Sequence, residues 1–131
     1  MTQQNPTVWV TLQARNPLAL IDYYVDTFGF ILTARHGGDT VKHAELIWPE
    51  GCGGIMLGAH RPGAAWCREP GTAGAYVVTA DPGGCYERVV SRNADVVQPL
   101  ADTDYGAREF VVRDPEGNLW SFGDYTGEQR G

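Results

Sequence analysis

The chain is built twice from one pattern, and that repeat limits its fold more than any other feature. Val8-Trp9-Val10-Thr11-Leu12-Gln13 alternates with the two-residue period of a strand, setting Val8, Val10 and Leu12 on one face and Trp9, Thr11 and Gln13 on the other. A helix follows, capped by Asn16 and opened by Pro17, with Leu18, Ile21, Val25 and Phe28 in one apolar stripe and Gly29 at its end. Three extended stretches come next, at 30–35, 41–48 and 54–58. The second half repeats the order. A strand at 75–80 leads into a helix opened by Asp81-Pro82, carrying Tyr86, Val89 and Val90 and closed at Asn93. Strands follow at 95–100, 108–113 and 119–123. Trp9 then matches Ala75, and Met56 matches Ser121, at offsets of 66 and 65 positions.

The expected fold is therefore α+β, with two tandem βαβββ units: unit one at about 7–59, a Gly/Pro/Ala-rich connector at 60–74, and unit two at about 75–125. One helix covers one face of a four-stranded sheet and leaves the other open. Two such units, side by side or in a dimer, curl their curved mixed sheets around a cavity on the face opposite Val8, Val10 and Leu12. The length of 131 residues suits one domain, and 17 glycines with 8 prolines suit many turns between short strands.

Net charge is −6, which disfavours nucleic acid or an anionic membrane as partner and is compatible with a cationic ligand. Cys52, Cys67 and Cys85 are an odd number without CxxC spacing, which argues against a disulfide framework or a zinc site. The N-terminus has neither the basic nor the apolar region of a secretory signal, and no run is long enough to span a membrane. A soluble, cytoplasmic domain is expected.

The stretch 105–123, YGAREFVVRDPEGNLWSFG, reads as a hairpin with Asp114 and Pro115 opening the turn and Gly117 at the position that needs a left-handed residue. With Val111 beside Ser121, the side chains of Glu109, Val111 and Arg113 share the cavity side, while Phe110, Val112, Trp120 and Phe122 go to the core. The duplicated βαβββ pattern, the IDYYVDTFGF helix exit and RDPEGNLWSF together resemble the vicinal oxygen chelate superfamily, which includes glyoxalase I, extradiol dioxygenases, fosfomycin-modifying enzymes and bleomycin-resistance binding proteins. The likeness runs from about 8 to 125, and the last hairpin is most similar to that of the bleomycin-resistance proteins.

Enzymes of that superfamily imply a divalent metal held by four side chains, one from the first and one from the last strand of each unit. Those positions fall on Trp9, Met56, Ala75 and Ser121, none of them a usual ligand. A shift by one residue reverses the faces and supplies no better donors. No metal, cofactor or catalytic residue is therefore assigned.

The resemblance instead implies a homodimer with a small molecule bound in a groove between subunits, and antibiotic sequestration as the function. Ligand contacts are expected from Trp9, Gln13, Met56, Trp66, Tyr105, Glu109, Val111 and Ser121. Trp9 is either a stacking platform or the filler of a pocket that lost its metal; Trp66 can close over a ligand from the connector; Glu109 can meet a ligand cation or pair with a base such as Arg108. The alternative is a lyase, isomerase or dioxygenase whose metal site has moved to His43 and Glu45, two apart on one strand. A third reading is a small-ligand sensor. Cys67, next to Arg68, is either an activated or an ordinary thiol.

Overall fold

The computed structural model describes residues 5–128. Its elements follow the repeat: β1 (Trp9–Ala14), α1 (Pro17–Tyr23), β2 (Ile31–His36), β3 (His43–Ile47) and β4 (Gly54–Ala59), then β5 (Gly74–Val78), α2 (Pro82–Ser91), β6 (Asp95–Asp102), β7 (Arg108–Arg113) and β8 (Leu119–Gly123). The strands form two four-stranded mixed sheets, ordered β1-β4-β3-β2 and β5-β8-β7-β6. In each, the first strand runs parallel to the last and the other pairs are antiparallel. The caps are the expected ones: Asn16 accepts from the Ala19 N–H and Asp81 from the Gly84 N–H, each with proline in the first turn.

The buried stripe of the first helix differs from the simple spacing. After Tyr23 the backbone widens into a π-turn over Tyr24–Phe28 before Gly29 reverses it at φ 91°. The wider turn rotates the face, so Leu20, Ile21, Tyr24, Thr27 and Phe28 are buried while Leu18 and Val25 sit at the margin. Val8 also departs from expectation: it stands before the strand and is 80% exposed.

Both helix-bearing sheet faces drain into one core. Leu12, Leu46, Ile55 and Leu57 come from the first sheet, and Phe110, Val112, Trp120 and Phe122 from the second, as the alternation predicts. Aromatic rings join them: Phe28 meets Phe122 at 4.9 Å, Tyr24 meets Trp120 at 5.2 Å, and Trp48 meets Phe122 at 5.8 Å between centroids. Trp48 is thereby a core residue. With the two units packed through their covered faces, the open face of each sheet turns outward.

The DPEGN turn is the joint. Asp114, 3% exposed, accepts six hydrogen bonds. Its Oδ1 takes the backbone N–H groups of Glu116, Gly117 and Asn118, and its Oδ2 takes the Tyr24 hydroxyl at 2.6 Å, the Asn118 amide and the Trp120 indole. Glu116 caps the other unit, accepting from the N–H groups of Arg15 and Asn16, both at 2.9 Å. Burial, then the Asp114 charge, pushes the Tyr24 hydroxyl well above its ordinary pKa, so it stays a donor. Removing the carboxylate strands buried donors. Asp114→Ala is expected to cost about 4 kcal/mol or more and Glu116→Ala about 1–2 kcal/mol, as read by chemical denaturation. Equal, small losses for both would contradict the assignment.

Candidate functional site

The residues expected to share one cavity lie on two separate faces of the chain. On the first sheet's open face, Thr11 stands beside Met56, and Met56 beside Glu45. A cavity of about 530 Å³ opens there between the strands and the connector, with Gln13, Met56 and Trp66 in its lining. Gln13 is buried, and its Oε1 accepts the Arg61 N–H at 3.3 Å; the His60 N–H donates to the Ala14 carbonyl at 2.9 Å. These bonds pin the start of the connector over the end of β1. Gly58 forms part of the floor, because a Cβ there would lie 2.5 Å from the Lys42 carbonyl oxygen. Trp66, 68% exposed, stands at the wall of the cavity.

Trp9 is on the same face but not in that cavity. Its indole lies over Gly54, where a Cβ would come within 2.5 Å of the ring, and it lines a neighbouring depression with Thr33, Glu45 and Cys52. Both cavities of this face are lined by unit one and the connector, with no residue of unit two.

Glu109, Val111 and Ser121 occupy the open face of the second sheet, where Val111 pairs with Ser121 and Glu109 with Gly123. Glu109 forms neither the ligand-ready free carboxylate nor an ion pair with Arg108, which bonds Asp102 at 2.9 Å instead. Two phenols hold it: the Tyr76 hydroxyl donates to Oε2 at 2.7 Å and the Tyr105 hydroxyl to Oε1 at 2.6 Å. The Tyr125 N–H donates to the Tyr76 oxygen at 3.2 Å, and the rings of Tyr105 and Tyr125 meet edge to face at 5.3 Å. Gly123 makes the room, since a Cβ there would collide with the Tyr76 hydroxyl and Glu109 Cγ. Burial and the Glu109 hydrogen bond raise the Tyr76 hydroxyl above its ordinary range, and the same carboxylate raises that of Tyr105.

Ala75 is a correction. β5 pairs Ala75 with the buried Trp120 and Tyr76 with Ser121, so Ala75 faces the core and Tyr76 takes the open face. The reason is a single residue of offset. The sheets follow the N-caps, Asn16 and Asp81, so that Thr11 rather than Trp9 is the lateral counterpart of Tyr76. Tyr76 and Tyr125 are the site residues that the sequence reading omits. The spacing between the N-caps signals the face that Tyr76 takes, whereas Tyr125, beyond β8, joins the cluster through tertiary placement alone.

The donor set does not fit the superfamily's divalent metal. Thr11, Met56, Tyr76 and Ser121 face the open sides, and none brings a carboxylate or an imidazole. His43 and Glu45 bond each other at 2.7 Å. Among the described residues no group of three or more His, Cys, Asp or Glu is placed to hold a metal ion.

The family model of the Glyoxalase/Bleomycin resistance protein/Dioxygenase superfamily matches residues 7–122. The crystal structure of TioX from Micromonospora sp. ML1 is 31% identical, with a TM-score of 0.73 over 88% of this chain and 97% of that one. A glyoxalase/bleomycin resistance protein from Streptomyces sp. CB03234 has a TM-score of 0.72 at 21% identity, covering 91% and 98% of the two chains. An integron cassette protein from V. cholerae has a TM-score of 0.70 at 18% identity, covering 96% and 99%. No curated protein matches. Among the described residues no helix is long and apolar enough to cross a membrane.

Glu109→Gln removes the acceptor charge that holds two phenols neutral. Alkaline titration followed at 295 nm is expected to show two tyrosines ionising at lower pH than in the parent protein, because the raised folded-state pKa values fall back towards 10. An unchanged titration would contradict the cluster.

Proposed function

The chain belongs to the glyoxalase/bleomycin resistance protein/dioxygenase superfamily, and from that premise we propose that it binds and sequesters a small aromatic antibiotic without a metal. Sequestration needs affinity alone, and the residues supply its means: stacking surfaces at Trp66, Tyr76 and Tyr105, hydrogen-bonding groups at Gln13, Ser121 and Glu109, and no donor set fit for a divalent ion. The observation that carries this reading is the division of those groups between two outward, open sheet faces. In this reading each face supplies one wall of a groove.

A second copy of the chain completes the groove when its unit two face lies over the first copy's unit one face. The homodimer and its ligand site are then one arrangement. One wall carries Gln13, Met56 and Trp66, and the other carries Tyr76, Tyr105, Glu109, Val111 and Ser121. The Tyr76–Glu109–Tyr105 cluster gives the second wall a phenolic, polar surface, and the net charge of −6 favours encounter with a basic drug. Trp9, over Gly54, lines the neighbouring depression of the same face.

The test is tryptophan fluorescence during titration with a panel of bleomycin- and mitomycin-like drugs. At least one is expected to saturate at one molecule per chain, with affinity unchanged by a chelator. Trp66→Ala is expected to weaken that binding about 2- to 10-fold, the worth of one stacked ring. Loss of binding on chelation, or no response to any drug of the panel, would overturn the proposal.

A further inference from the structure

The cavity of the first unit holds a second kind of chemistry. Cys67 lines it, with Sγ 3.6 Å from His60 Nε2, and Glu69 Oε1 lies 3.9 Å from the same nitrogen. His60 has a side chain only 19% exposed and a backbone N–H fixed to the Ala14 carbonyl. The Cys67 N–H closes a turn on the Ala64 carbonyl at 3.0 Å, so thiol and imidazole are held by separate backbone anchors. A thiol in contact with an imidazole can pass its proton to that ring, and Glu69, approaching the same nitrogen, sets a negative charge beside the imidazolium without orienting the ring.

Charge around the pair is equally particular. Lys42, Arg61 and Arg68 line the same cavity in a chain whose net charge is −6. Among the described residues, none of the three takes part in an ion pair. Arg68 spends one N–H on the Thr72 carbonyl at 3.5 Å. The other thiols are differently placed. Cys52 is exposed, and Cys85 sits against the Thr79 hydroxyl with its pKa pushed up by burial.

We propose that Cys67 is a reactive thiol that captures an anionic α,β-unsaturated carbonyl compound inside this cavity, with His60 as the proton carrier. His60 Nε2 takes the thiol proton, and the Sγ electron pair forms a C–S bond at the β-carbon. The C=C π pair moves to the carbonyl as an enolate, and the imidazolium returns the proton to the α-carbon. Nothing is oxidised or reduced and no group leaves. Glu69 faces the transient imidazolium, while Lys42, Arg61 and Arg68 attract the ligand's negative group and the enolate. The inference rests on the unit one cavity being a ligand site.

Three maleimides of different charge test it: neutral N-ethylmaleimide, a carboxylate-bearing maleimide and a trimethylammonium-bearing maleimide, with rates read per cysteine by peptide mass mapping. Cys67 is expected to react about 10-fold faster than the more exposed Cys52. At Cys67 the carboxylate probe is expected to outrun the ammonium probe by about 10-fold at low salt, with a smaller gap at high salt. His60→Asn is expected to slow Cys67 about 10-fold and leave Cys52 and Cys85 unchanged, the slow labelling of the part-buried Cys85 reporting that the fold is intact. Arg61→Gln with Arg68→Gln is expected to reduce the charge preference to the part that Lys42 supplies. Equal rates at Cys67 and Cys52, or a Cys67 rate blind to probe charge, would overturn the inference. Failure of the sequestration reading is separable. Cys67→Ser that still binds a drug of the panel keeps sequestration whatever the thiol does. Fast labelling of Cys67 without any drug response keeps the thiol inference and removes sequestration.

Discussion

A single buried carboxylate organises this molecule. Asp114 satisfies three backbone donors of its own turn and three side chains drawn from both units. Such a group is stable inside a protein only when its lone pairs are filled, and here they are filled by the residues that must be brought together. Tyr24 reaches it because the π-turn aims that side chain across the unit boundary. Trp120 reaches it from the last strand. Glu116 then ties the same turn to the start of α1. The hairpin that carries so much charge for its length is a clasp between the repeats.

That clasp has a geometric consequence for function. By packing the covered faces of both sheets into one core, it turns both open faces outward. The groups on which the sequestration proposal relies are divided between the two faces. The proposed pairing of copies follows from that division. It also places a basic wall, with Lys42, Arg61 and Arg68, opposite an acidic and phenolic one built on Glu109. A ligand with both charges and a flat apolar body suits such a groove.

Much of this was legible in the sequence because periodicity and turn chemistry are local. The repeat, the two N-caps, the register of Val111 against Ser121 and the burial of Phe110, Val112, Trp120 and Phe122 follow from strand alternation and a DPEGN turn. The face of Ala75 did not, because one residue separates Trp9-to-Asn16 spacing from Ala75-to-Asp81 spacing and a strand reverses faces with each residue. The stripe on the first helix was shifted by a π-turn that no residue pattern announces. The phenol clamp on Glu109 and the Cys67–His60 pair join residues through tertiary placement, so spacing alone could not reveal either.

The central claim is that one ligand site takes one wall from each of two copies, and complementation measures it directly. Met56→Trp blocks the first wall and Ser121→Trp blocks the second. Each variant alone is expected to lose binding of whichever drug the parent protein holds. A mixed assembly of the two variants has one groove blocked on both walls and one groove intact, so half of the parental binding stoichiometry is expected to return. Retained binding by either variant alone, or no recovery in the mixed assembly, would contradict a shared groove.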